Sequence, residues 1–116
     1  MRKILDTTFG FESPTEELRN KLHAAPSSFG DKATEALFWD EIVRQFQRMA
    51  RQAKRKLEAI NAAVSLEDLK VPPANRLEKL KGNLKDFYSI RINDQWRVIF
   101  RWVNGEAHDI RIVDYH

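Results

Sequence analysis

Trp96-Arg97-Val98-Ile99-Phe100-Arg101-Trp102 decides the fold. Its bulkiest apolar residues fall at every second position, the repeat of a β-strand rather than the three-to-four spacing of a helix. Trp96, Val98, Phe100 and Trp102 therefore share one face, expected to pack on helices, while Arg97, Ile99 and Arg101 point the other way. The flanking sequence supplies partners. Tyr88-Ser89-Ile90-Arg91-Ile92 alternates in the same manner, with Arg91 on its polar face, and Ile110, Ile112 and Val113 make a last strand. Asn93-Asp94 and Asn104-Gly105 are turn signals between them. The result is an antiparallel meander whose outer surface carries basic side chains, a pattern that an ordinary solvated face also satisfies.

Upstream, the period changes. From Ala36 onward the apolar residues Phe38, Ile42, Phe46, Met49, Ala53, Leu57 and Ile60 follow helical spacing. The opposite face holds Arg44, Arg48, Arg51, Lys54, Arg55 and Lys56 with no acid between them, whereas Asp31, Glu35, Asp40 and Glu41 come earlier. That order suits a helix dipole, negative charge first and positive charge last. Ser65-Leu66-Glu67-Asp68-Leu69 reads as a capped extra turn, and Pro72-Pro73 stops any helix. Phe29 is placed in a short edge strand. Helices followed by a meander make an α+β domain.

The first 27 residues differ from the rest. Ser13-Pro14-Thr15-Glu16 resembles a helix start, and Leu18 and Leu22 give a short helix one apolar edge. Such a helix is too short to stand alone. The expected organisation is an N-terminal extension over 1–27, loosely held or forming that short helix, and a domain over 28–116.

The chain has 116 residues, a net charge of +3 and no cysteine. That length fits one domain. A disulfide framework, a thiolate nucleophile and a cysteine-ligated zinc are excluded. No apolar run reaches the roughly 20 residues of a membrane helix, so no membrane partner is expected and the cytoplasm is the expected location. The mild basicity permits a polyanionic partner if the charge collects on one face.

Val71-Pro72-Pro73-Ala74-Asn75-Arg76-Leu77-Glu78-Lys79-Leu80-Lys81-Gly82, then the two alternating strands, then Ile112-Val113-Asp114-Tyr115-His116 form a long ordered pattern. It resembles the HigB branch of the RelE superfamily of toxins from type II toxin–antitoxin systems. Ser28-Phe29-Gly30-Asp31 and Leu57-Glu58-Ala59-Ile60-Asn61-Ala62-Ala63 match more loosely. The resemblance implies two helices packed on a small antiparallel sheet. It also implies an endoribonuclease that cuts mRNA in the ribosomal A site, needing no metal and no cofactor. The implied partner is a HigA-like helix-turn-helix antitoxin, with operator DNA reached only through it. Relatives usually begin just before the residues matching Ser28-Phe29. The excess is read first as the product of a rarely used upstream start codon; an arm packed on the domain and an antitoxin-docking segment remain open.

Metal-free RNA cleavage uses the substrate's own 2′-hydroxyl, leaving a 2′,3′-cyclic phosphate and a 5′-hydroxyl. One group must accept the hydroxyl proton, another must donate to the leaving oxygen, and cations must surround the phosphorane-like transition state. His116 titrates near neutrality and is the leading proton-transfer candidate, against the reading of a disordered terminal histidine. Asp114 either fixes its tautomer or accepts a proton. Tyr115 either stacks on a base or donates a hydrogen bond, or is a core-edge tyrosine. Arg97 and Lys81 are expected phosphate clamps, Arg97 with the alternative of a cross-strand salt bridge. Arg91 and Arg101 are weaker RNA-binding candidates, and the helix face with Arg48, Arg51 and Arg55 contacts either rRNA or the antitoxin, or is merely solvated. Glu78 stands where the best-known family pattern has a histidine; a carboxylate serves as a base but is a poor acid at neutrality, and a surface salt bridge is its other reading. Folding is expected to gather Lys81, Arg97 and the Asp114–His116 tail around one hollow. Three rivals remain: a catalytically degenerate co-repressor, a non-toxic RNA-binding regulator, and a metal-dependent nuclease, the last opposed by the lack of a spaced ligand cluster.

Overall fold

The computed structural model describes residues 28–115. Residues 1–27 and His116 lie outside the described residues, and with them fall the expectations for Ser13-Pro14-Thr15-Glu16, Leu18, Leu22 and the terminal histidine.

Helix α1 (Lys32–Phe38) begins where Asp31, extended at φ −151°, accepts a hydrogen bond from Thr34 N at 2.8 Å. This is an N-cap satisfying one of the orphan donors of the first turn. A 3₁₀ turn over Arg44–Met49 runs directly into helix α2 (Ala50–Ala62). Ser65 and Asp68 form a reciprocal capping box on the next 3₁₀ turn, Leu66–Lys70, as the sequence suggests. Four antiparallel strands follow in the order β1 (Glu78–Lys79), β2 (Phe87–Arg91), β3 (Trp96–Val103) and β4 (Glu106–Asp114). The architecture is thus α+β, two helices against an antiparallel meander.

Turn chemistry sets the meander. Asn93 Oδ1 accepts from Gln95 N and Trp96 N, an Asx turn that reverses the chain between β2 and β3. Asn104 and Gly105 both take positive φ, 53° and 79°, the geometry of a two-residue hairpin linking β3 to β4. Phe29 makes only an isolated parallel bridge to Ile110, short of the expected edge strand. Thr34, fully buried, accepts from Ile112 N at 2.9 Å and so ties α1 to β4.

Along β3 the face toward the helices is buried as the sequence reads, but Arg97 and Ile99 on the other face are buried as well, so burial does not alternate. Val98 and Phe100 are wholly buried and pack with Phe46, Leu57, Ile60, Ile90 and Ile110; Trp96 and Trp102 are half-buried at the margins. Burying one such side chain contributes roughly 1.5–3 kcal/mol, so this single face supplies much of the drive to fold.

One expectation is corrected. The apolar series from Phe38 to Ile60 is not one helix. After Phe38 the chain turns at Asp40, which is left-handed at φ 67°, while Glu41 N donates to Ala36 O and Asp40 N to Leu37 O. Those two bonds are a Schellman stop. The usual glycine is replaced by aspartate, whose left-handed backbone carries a modest cost. Lys54 of α2 donates to Phe38 O, one of the last helical carbonyls, and to Asp40 Oδ1 at 2.9 Å. Ile42, counted in the buried face by spacing, is consequently 85% exposed.

Candidate functional site

β3 delivers Arg97 to the face of the sheet away from the helices, beside Arg91 of β2 and Val113 of β4. The sequence places Arg97 on a solvated surface; the structure buries it to 6% exposure. Its Nε donates to Ser89 Oγ at 2.8 Å, and one terminal nitrogen, Nη2, donates to the carbonyl of Arg76 at 2.7 Å. The Tyr115 ring lies 5.1 Å from the guanidinium carbon, close enough for a cation–π contact. Among the described residues the nearest carboxylate is Glu78, at 4.0 Å, a distance for weak attraction rather than a hydrogen bond. A buried cation without a bonded carboxylate costs folding energy, and an incoming anion would relieve that cost.

Arg97 opens into a hollow of about 490 Å³ lined also by Ala74, Arg76, Arg91, Asn93, Asp94 and Tyr115. It lies where the loop before β1, the β2–β3 turn and the end of β4 converge. Tyr115 is tied there by its own N–H to Gln95 O at 2.6 Å, and the residue stays half exposed. Asp114 accepts from Gln95 Nε2 at 3.0 Å. Glu78 sits opposite Ser89 on β1. The fold thus brings Arg97, Arg91, Glu78, Asp114 and Tyr115 to one end of the sheet. Lys56 of α2, beside this end, has its pKa lowered by burial, with nearby Arg55 and Arg91 pushing the same way.

Lys81 does not share that hollow, which corrects the expectation of a single cluster. It is exposed ahead of the Gly82–Leu84 turn, past the point where Leu80 pairs with Phe87. Three strand positions beyond Glu78 amount to roughly 10 Å of travel along the sheet. Arg101 likewise turns away, bonding Asp109 at 2.7 Å, and Arg91 pairs with Asp94 at the rim. On α2, Arg51 and Arg55 are exposed, as is Arg48 on the preceding 3₁₀ turn, while Lys54 and Lys56 fold back onto the domain. Among the described residues no group of three or more His, Cys, Asp or Glu side chains could hold a metal ion, and no helix is long and apolar enough to cross a membrane.

Sequence reasoning missed two partners of Arg97. Ser89 was visible, because it shares the alternation face of Arg91. Arg76 takes part through its backbone carbonyl, which leaves no trace in residue type.

A small antiparallel sheet backed by two helices is an α+β architecture consistent with a RelE-like fold. Residues 27–116 match the family described as "RelE-like toxin of type II toxin-antitoxin system HigB", and the chain belongs to that HigB-like toxin family. It is 57% identical over 53 residues to Toxin HigB-1 of Vibrio cholerae, covering 46% of this chain and 56% of that protein. To an uncharacterized protein of Haemophilus influenzae it is 43% identical over 56 residues, 48% of this chain and 55% of the relative. To Endoribonuclease HigB of Proteus vulgaris it is 33% identical over 61 residues, 53% of this chain and 65% of the relative. The chain therefore spans between half and two thirds of the curated relatives it matches.

Proposed function

We propose that this toxin is a ribosome-dependent, metal-independent endoribonuclease that cuts mRNA, halts translation and growth, and is neutralised in the cytoplasm by a HigA-like antitoxin. The observation that carries the reading is the buried Arg97 cation, held by neutral acceptors at 2.7 and 2.8 Å and opening into a hollow large enough for a nucleotide. A guanidinium already desolvated and fixed in place needs no reorganisation as charge builds on a phosphorane, which is the condition for strong electrostatic catalysis.

In this reading Arg97 grips the scissile phosphate and Tyr115 offers its ring to a base. His116 donates a proton to the leaving 5′-oxygen, assisted by Asp114, and Glu78, 4.0 Å from Arg97, accepts the 2′-hydroxyl proton, while Asp94 is taken up by Arg91. The cleaved ends carry a 2′,3′-cyclic phosphate and a 5′-hydroxyl. Lys81, about three strand positions away, contacts a neighbouring phosphate instead of the scissile one. Arg91 and Arg101 extend the cationic track on the sheet, and Arg48, Arg51 and Arg55 supply footing on rRNA. Operator DNA is reached only through the antitoxin.

Glu78, 4.0 Å from Arg97, favours a second reading in which the pair has drifted into a structural ion pair and the chain acts only as a co-repressor. Primer extension on mRNA after induction separates the two. New 5′ ends in the wild type, lost in both Arg97→Ala and His116→Ala, support the enzyme; their absence in the wild type leaves the co-repressor.

A further inference from the structure

We propose that Asn75 is a positioning residue for Arg97, acting through the carbonyl of Arg76, and that Lys56 of α2 completes the device. This rests on the reading of Arg97 as the phosphate-gripping cation.

The guanidinium is held from two sides. On one side Ser89 belongs to β2, is wholly buried, and is fixed by strand pairing to Ile99 and Glu78. On the other side stands Arg76 O, presented by a residue in left-handed conformation (φ 48°, ψ 56°) just after the Pro73–Asn75 turn. That side has no sheet to hold it. Lys70, Val71, Pro72, Pro73, Ala74 and Arg76 are all exposed, and Asn75, at 1% exposure, is the one buried residue of the stretch.

Asn75 is bound at both ends of its amide. Nδ2 donates to Leu69 O at 3.1 Å and, more weakly, to Val71 O at 3.4 Å, while Oδ1 accepts from Lys56 Nζ at 2.5 Å. Its backbone N–H donates to Pro72 O at 2.9 Å, and the next, from Arg76, to Pro73 O at 3.0 Å. One side chain therefore closes the loop on itself and pins it to the middle of a core helix. Only an amide offers donors and an acceptor on one short stem; aspartate keeps the oxygen toward Lys56 but has nothing to give Leu69 and Val71. The continuous path runs Lys56, Asn75, Arg76 O, Arg97, Ser89. A loop left to shift would carry Arg76 O away from the guanidinium, and displacements of about 1 Å at such a point cost up to about 100-fold in rate.

The test uses the full chain in three variants, Asn75→Asp, Lys56→Met and Arg97→Ala. Each is assayed for mRNA cleavage in a translating mixture, resolved into kcat and KM, and the wild type, Asn75→Asp and Lys56→Met also for hydrogen exchange of the Arg97 Nη2–H by NMR, the donor to Arg76 O. The expected result for Asn75→Asp is a fall in kcat between about 10- and 100-fold with KM little changed. The Arg97 Nη2–H should lose its protection, and Lys56→Met should move both readouts in the same direction by less. A merely structural role would lower the unfolding midpoint and leave the folded enzyme's kcat and the Nη2–H signal as in the wild type; that result overturns the proposal. If Asn75→Asp does not fold, Lys56→Met decides by the same two readouts. Loss of cleavage in Arg97→Ala together with wild-type behaviour in the other two sinks the positioning role alone. Wild-type cleavage by Arg97→Ala sinks the reading of the hollow as well.

Discussion

Arg97→Met separates a catalytic cation from a structural strut, and the structure sets the size of the effect. The substitution keeps an unbranched side chain of similar reach and deletes the charge. Three contacts go: Nε to Ser89 Oγ at 2.8 Å, Nη2 to Arg76 O at 2.7 Å, and a marginal one to Ser89 O at 3.4 Å. Hydrogen bonds with a charged partner contribute about 1.5–3 kcal/mol each, so the two good ones are worth roughly 3–6 kcal/mol. Against this, the substitution removes an ion 6% exposed whose nearest described carboxylate is 4.0 Å away, and the effective penalty for burying such an ion is several kcal/mol. The two nearly cancel. Urea unfolding should place Arg97→Met within about 2 kcal/mol of the wild type, inside the range of ordinary single substitutions. Cleavage should nevertheless fall by about 10²–10³, the loss measured when one preorganised donor is taken from an anionic transition state. Arg97→Lys should be nearly as inactive, because an ammonium cannot reach Ser89 Oγ and Arg76 O together while also facing a phosphate. Purified protein, a urea melt and a timed cleavage assay suffice. Destabilisation of Arg97→Met beyond about 4 kcal/mol, with Arg97→Lys restoring both stability and activity, would refute the reasoning, since the charge would then be serving the fold.

Other outcomes follow from the same coordinates. Ile42→Ser should change stability by less than about 0.5 kcal/mol, whereas Phe46→Ala, at a site 1% exposed, should cost about 3–5 kcal/mol; equal losses would restore the continuous helix. Replacing Arg48, Arg51 and Arg55 together by alanine should flatten the salt dependence of ribosome affinity while leaving the urea midpoint in place, and an unchanged slope would remove them from the RNA track. Lys56 has a folded-state pKa below its unfolded 10.5, so the folded protein binds fewer protons between the two values. Its contribution to stability should rise as pH climbs through that window and be least favourable below it; the wild type should gain on Lys56→Met as alkaline pH is approached, and a gap that narrowed instead would contradict the burial.

How much of this was legible depends on the range of the interactions involved. Trp96 to Trp102 announced a strand because side-chain alternation is a property of neighbours in the chain, and Asn104-Gly105 announced its turn because positive φ is a property of those residues themselves. The capping box at Ser65 was equally local. The stop after Phe38 was not, because its left-handed position is filled by an aspartate and is supported by Lys54, 14 residues on. The apolar spacing from Phe38 to Phe46 therefore concealed a change of direction.

Local pattern alone announced a helix-backed meander, the face of β3 that meets the helices, and basic side chains on the opposite face. Folding at long range settled that Arg97 is sequestered there, that Asn75 is buried in the loop beside it, and that Lys81 stands apart. The difference is distance along the chain: Arg97 meets Arg76 across 21 residues and Lys56 meets Asn75 across 19, so their burial and partners arise when separate segments exclude water from one another.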